Sequence, residues 1–206
     1  IAENSLRIAT VIALPMGVGL SVLSQPIMTV IYPGSHESGP ELLLLMGAAS
    51  FFVCMALMMN TILQAGGNEK YPIYSMIIGG IVKIAVNWFL VADPGINILG
   101  APIGTLSCYA VMCVMDYIFL CRVMPDRPKL GRILARPVLS CAAMGLTAWA
   151  VYGLSLRFIG GVEPGRLIMA LCMCLAIGAA VIVYLVLTVL TRAVTYEDMK
   201  LIPKGE

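Results

Sequence analysis

The sequence predicts an all-α membrane protein, a polytopic bundle of six transmembrane helices. Three observations carry this. Hydrophobic residues make up 60% of the 206 and charged residues 12%, about half the charged share of a water-soluble domain. The mean hydropathy is +0.96. Six apolar runs, each long enough to cross a bilayer as a helix, alternate with short polar joints. A water-soluble domain is excluded, and no basic cluster forms a nucleic-acid patch.

The first run, segment A, covers residues 7–31. It holds Pro15 and Pro26 with Gly17 and Gly19 between them. The prolines are 11 residues apart, close to three helical turns, so they fall on nearly one face. The helix should bend or loosen there, as the hinge of a moving helix or as a fixed packing kink. Gln25 is placed to satisfy a backbone group that Pro26 releases. The following joint, YPGSHESGPE, holds the one histidine, His36, expected to be simply solvated.

Segment B covers 42–65 and ends in the joint QAGGNEKYP. Asn60 and Gln64 share its face near that end. They line the mouth of a path, or they bond to neighbouring helices.

Segment C covers 71–92, with Pro72 in the first turn, where proline is favourable. Lys83 stands near its middle. An ionisable group at that depth costs about 2.5–3.5 kcal/mol on insertion scales, and a Lys stem is too short to escape fully to the interface. Lys83 therefore needs a wet cavity or a buried acid. Gly79, Gly80, Lys83 and Asn87 share one face. The glycines leave room for the Lys stem, and Asn87 offers a carbonyl to its ammonium.

Segment D covers 97–121 and segment F 167–191. Each carries small residues at four-residue spacing: Gly100, Gly104 and Cys108 in D, and Ala170, Cys174 and Gly178 in F. Such stripes let helix backbones approach closely. Asp116, in D, is the obvious acid for Lys83, but the two differ in depth by about 10 Å at 1.5 Å per residue. Asp116 is instead expected near Arg122 or the interface. Segment E covers 134–156. Trp88 and Trp149 are interface anchors or core filler.

Basic residues orient the spans. Arg7, Lys70, Arg122, Arg127, Lys129, Arg132, Arg136, Arg192, Lys200 and Lys204 fall on one side, against Arg157 and Arg166 on the other. Both chain ends and the B–C and D–E joints are therefore expected in the cytoplasm.

The seven cysteines lie in or beside apolar runs without a C-x-x-C pair, as buried reduced thiols do. No metal site, cofactor motif or enzyme signature such as HExxH or G-x-S-x-G occurs. The expectation is a non-enzyme without cofactors. The chain opens on Ile1 with no signal-peptide pattern, and it reads as a fragment lacking its amino-terminal portion.

A resemblance sharpens this. Segment B ends in LQ-x-x-G, segment C carries G-x-x-x-K-x-x-x-N, and P-G-I-N-I-x-G-A-x-I-G-T opens segment D. This pattern resembles bacterial polysaccharide exporters of the stage V sporulation protein B type and the related lipid II flippases. Both belong to the multidrug, oligosaccharidyl-lipid and polysaccharide exporter superfamily. The opening ALPMGVGLSVLSQPIMTVIY is similar to a helix two spans earlier in that family.

The resemblance implies two six-helix lobes followed by two extra helices. Residues 1–124 would be the last four helices of the second lobe, and 125–206 the extra pair with a short cytoplasmic tail. Such proteins flip a lipid-linked saccharide across the bacterial plasma membrane by rocking the lobes around a cationic cavity. In lipid II flippases the last two helices form a groove for the polyprenyl tail. Lys83 and Asn87 would face the cavity, with Asn60 and Gln64 at its cytoplasmic mouth; the hinge reading of Pro15 and Pro26 rests on the prolines themselves. The partners implied are the lipid-linked saccharide, membrane lipid and the missing amino-terminal lobe. The rivals are a cation-coupled multidrug exporter of the same superfamily and a non-transporting scaffold for cell-wall enzymes.

Overall fold

The computed structural model describes residues 2–32, 38–124, 130–158 and 165–190. These form α1 (Ala2–Val22), α2 (Ser24–Ile31), α3 (Gly39–Ala65), α4 (Lys70–Val91), α5 (Gly100–Val123, preceded by a 3-10 turn over Asn97–Leu99), α6 (Leu130–Phe158) and α7 (Arg166–Leu190). No strand occurs among the described residues. Among the described residues six helices are long and apolar enough to cross a membrane; five overlie segments B to F, and the sixth covers Ala2–Val22 where segment A is expected over 7–31. His36, Arg127, Lys129, Arg192, Lys200 and Lys204 lie outside the described residues.

The helices form a row in the order α4, α5, α3, α1, α6, α7, each packed mainly on its neighbours, with α2 touching α3 and α7. Close packing without a hydrophobic driving force requires small residues at the crossings. Gly17 and Gly47 supply them where α1 meets α3. A Cβ on Gly17 would stand 2.7 Å from the Gly47 carbonyl oxygen, and one on Gly47 would stand 2.9 Å from the Gly17 oxygen. Ser21 ties the same crossing by donating to the Leu44 carbonyl at 3.0 Å. Gly17 thus serves helix contact rather than looseness.

Segment A becomes two helices. The interruption falls at Leu23, with φ −97° and ψ 13°. Pro26, three residues on, lacks the N–H that the Val22 carbonyl would receive. Pro15 lies inside α1 without ending it. Gln25 is exposed.

The motif opening segment D is turn chemistry. Asp93 accepts from the Gly95 N–H at 2.9 Å, and Asn97 takes φ +43°, a conformation that Asn tolerates. The 3-10 turn then runs into α5.

The stripe expected on segment F is corrected. Cys174 and Gly178 are exposed, and nothing lies within 4 Å of a Cβ placed on Gly178. The packed stripe is Cys172, Ala176, Ala180, Tyr184 and Thr188. It has the same spacing but lies on another face, and it includes the side chain with a polar tip to satisfy. Trp88 and Trp149 are 76% and 71% exposed, so neither fills the core.

Candidate functional site

The α4–α5 pair positions the residues of interest. The stripe expected on segment D is the α5 side of this contact. Gly100 meets Leu90, Gly104 meets Asn87, Met112 meets Gly79, and Phe119 stacks on Tyr71 with ring centroids 4.7 Å apart. The two helices run antiparallel in a constant register, which sets Lys83 opposite Cys108. A Cβ on Gly79 would stand 2.6 Å from Met112 Cγ and 3.2 Å from Cys108 Sγ, whereas Gly80 faces open space. Gly79 therefore lets α5 close in, and Gly80 is the glycine that leaves room.

Lys83 is half-buried at the edge of this contact. No described acid pairs with it. Asn87, one turn on, turns its amide toward Gly104, where a Cβ would collide with its Oδ1. That oxygen is buried and receives no hydrogen bond among the described residues. The α4 face away from α5, including Ile73, Ile77, Ile81, Ile84 and Trp88, is exposed, because α4 ends the row.

Two helical turns nearer the α3–α4 turn lies a buried polar cluster. Asp116 is fully buried. With its amide nitrogen turned to the carboxylate, Asn60 of α3 donates to Oδ2 at 3.0 Å and Oδ1 at 3.2 Å. The hydroxyl of Ser75 of α4 lies within reach of both the Pro72 carbonyl, at 3.0 Å, and the Asp116 carboxylate, and its single proton serves one of them at a time. The expectation that Asp116 sits by Arg122 or at the interface is overturned. Arg122 is exposed, and a carboxylate in lipid needs donors close by. The depth argument separating Asp116 from Lys83 holds, since Ser75, not Lys83, stands opposite Asp116.

The residues expected to form one site thus divide. Lys83 and Asn87 share the outer part of the α4–α5 contact. Asn60 is buried against Asp116, and Gln64, one turn on, is exposed. Beside Gln64 the α3–α4 turn, with Gly67 at φ +75°, encloses a polar recess of about 530 Å³ lined by Asn68, Glu69, Lys70, Tyr71 and Tyr74. No group of three metal-ligating side chains occurs among the described residues.

A groove of about 750 Å³ opens between α1, α2, α3 and α6, with Val18, Gln25, Ala48, Ala142, Gly145 and Trp149 among its walls. The α6–α7 pair packs directly, and the walls of the groove facing α6 come from α1, α2 and α3 rather than from α7.

No curated protein and no solved structure matches the chain. The family model described as Lipid II flippase MurJ matches residues 1–173, which takes in α1 to α6 and the start of α7. With more than half its length matched, and with six helices long and apolar enough to cross a membrane among the described residues, the chain belongs to the lipid II flippase MurJ family.

Proposed function

We propose that this chain is the carboxy-terminal part of a bacterial plasma-membrane flippase that moves a lipid-linked cell-wall precursor by alternating access. Residues 1–124 are the last four helices of its second lobe, and 125–206 the extra pair and tail. A missing amino-terminal lobe completes the transport path. The positive charge bias puts both ends of the chain in the cytoplasm.

One observation carries the reading. Lys83 is half-buried in the middle of an apolar helix, at the open end of the helix row, with no described acid beside it. Such a charge is tolerated where water reaches it, and it suits an anionic headgroup. Asn87 stands one turn away with a carbonyl oxygen that has no donor among the described residues. Gln64 lies at the cytoplasmic mouth. Asn60 stands behind it as part of the wall, its amide held by Asp116. Pro15 and Pro26 are the hinges of α1 and α2.

The test is Lys83→Ala and Lys83→Arg in the full-length protein reconstituted in lipid vesicles. Transport of the lipid-linked precursor should be lost with Ala at normal insertion and recovered in part with Arg. Transport by Lys83→Ala at the wild-type rate removes Lys83 from the mechanism.

A second reading, cation-coupled drug export, needs a buried carboxylate, and Asp116 is one. It requires cation-driven efflux of a hydrophobic drug that Asp116→Asn abolishes. The lipid-exporter reading requires that variant to leave drug resistance unchanged.

A further inference from the structure

A proline inside a helix has no N–H, so the carbonyl four residues earlier loses its partner. For Pro15 that carbonyl belongs to Val11. In apolar surroundings such an oxygen needs another donor. The donor comes from far along the chain: the Tyr184 hydroxyl, on α7, donates to the Val11 oxygen at 2.6 Å, across 173 residues. Tyr184 is buried, in a cluster with Leu23, Cys141, Met144 and Ala148 against which Val11 and Leu14 also pack. Beyond this bond α7 packs mainly on α6 and more lightly on α2.

We propose that Tyr184 is a positioning residue for transport: its hydroxyl holds the proline notch of α1, so that the α6–α7 pair sets the shape of a helix in the transport lobe. Val11 lies inside the residues matched by the family model, and Tyr184 beyond them. The last helix is thereby part of the working unit rather than a passive anchor. The inference does not depend on the role of Lys83.

The test is a double-mutant cycle in the full-length protein in lipid vesicles, with Tyr184→Phe, Pro15→Ala and both. Tyr184→Phe removes one hydroxyl and keeps the ring. It should slow transport by about fivefold or more, the equilibrium equivalent of orphaning a buried carbonyl. It should also change the distance between spin labels at the exposed positions Met16 and Leu185. Pro15→Ala restores the N–H that Val11 accepts, so in that background Tyr184→Phe should change neither reading. A residue that acted by packing alone would lose as much in both backgrounds. If Pro15→Ala by itself stops transport, the same cycle is read in the label distance and the thermal midpoint. Equal effects of Tyr184→Phe in the wild-type and Pro15→Ala backgrounds, or no effect in either, overturn the proposal.

Discussion

The Asn60 amide nitrogen lies on both carboxylate oxygens of Asp116, at 3.0 and 3.2 Å. This pair joins α3 to α5, and Ser75 brings α4 to the same carboxylate. Three helices therefore share one polar hub, on helices that also carry the buried apolar side chains Met59, Leu63, Met112 and Leu120.

Removing the hub should destabilise the bundle. Asp116→Ala leaves Asn60 without its acceptor in a buried site, at about 1–3 kcal/mol for an orphaned group. Asp116→Asn keeps the volume and an acceptor oxygen, so it should lose less. Thermal midpoints of the purified full-length protein decide between these outcomes. An Ala variant as stable as the wild type would show that the hub contributes nothing to the fold.

Glycine substitutions separate contact from open space. A methyl at Gly104 meets Asn87 Oδ1, while Gly178 has nothing within 4 Å. Gly104→Ala must push α4 from α5 or turn Asn87 away, and such overpacking costs about 1–3 kcal/mol. Gly178→Ala, on an exposed helix face, should be neutral or stabilising by up to about 1 kcal/mol. Comparable losses at both positions, measured by thermal unfolding in one lipid or detergent system, would contradict the α4–α5 register.

The ends of α3, α4, α5 and α7 were legible in the sequence because bilayer thickness and turn chemistry fix helix ends closely, whereas the break of segment A at Leu23 was not. The α5 stripe was legible because Gly100, Gly104 and Cys108 are the smallest consecutive set on that helix. The α7 stripe was not. That helix carries small residues on two faces, and spacing alone does not choose between them. The choice follows from Tyr184, which must bury its ring and find an acceptor for its hydroxyl. The Asp116 hub was within reach of counting. At 1.5 Å per residue Asn60 and Ser75 lie about 8 Å, and Asp116 about 11 Å, from the same ends of their helices. The partners of Asp116 lie at its own depth, not at that of Lys83 or Arg122. Which helix lies beside which, and so the order of the row, has no signal in local pattern.

Water access distinguishes the two sides of α4. With the seven native cysteines replaced, Lys83→Cys in the full-length protein should react with a membrane-impermeant thiol reagent. Ile81→Cys, whose parent side chain is 61% exposed on the side away from α5, should stay unlabelled within the bilayer. Equal protection of both positions would place Lys83 in dry surroundings and remove the cavity reading.

The groove between α1, α2, α3 and α6 yields a test that depends on substrate length. Its walls are mainly apolar, and Ala142 lies exposed along it. A Trp there fills space without entering the packed face of α6, where Cys141, Met144 and Ala148 are buried, so the fold should hold. If the groove takes the lipid tail of the precursor, Ala142→Trp should slow transport of a long-tailed substrate by about tenfold. That corresponds to roughly 1.4 kcal/mol of lost apolar contact, about two buried methylenes. A short-tailed analogue that never reaches the groove should move at the wild-type rate. Initial rates for the two substrates in the same vesicles provide the measurement. Equal slowing of both would mean that the bulk acts on the helices, and no slowing of either would mean that the tail travels elsewhere.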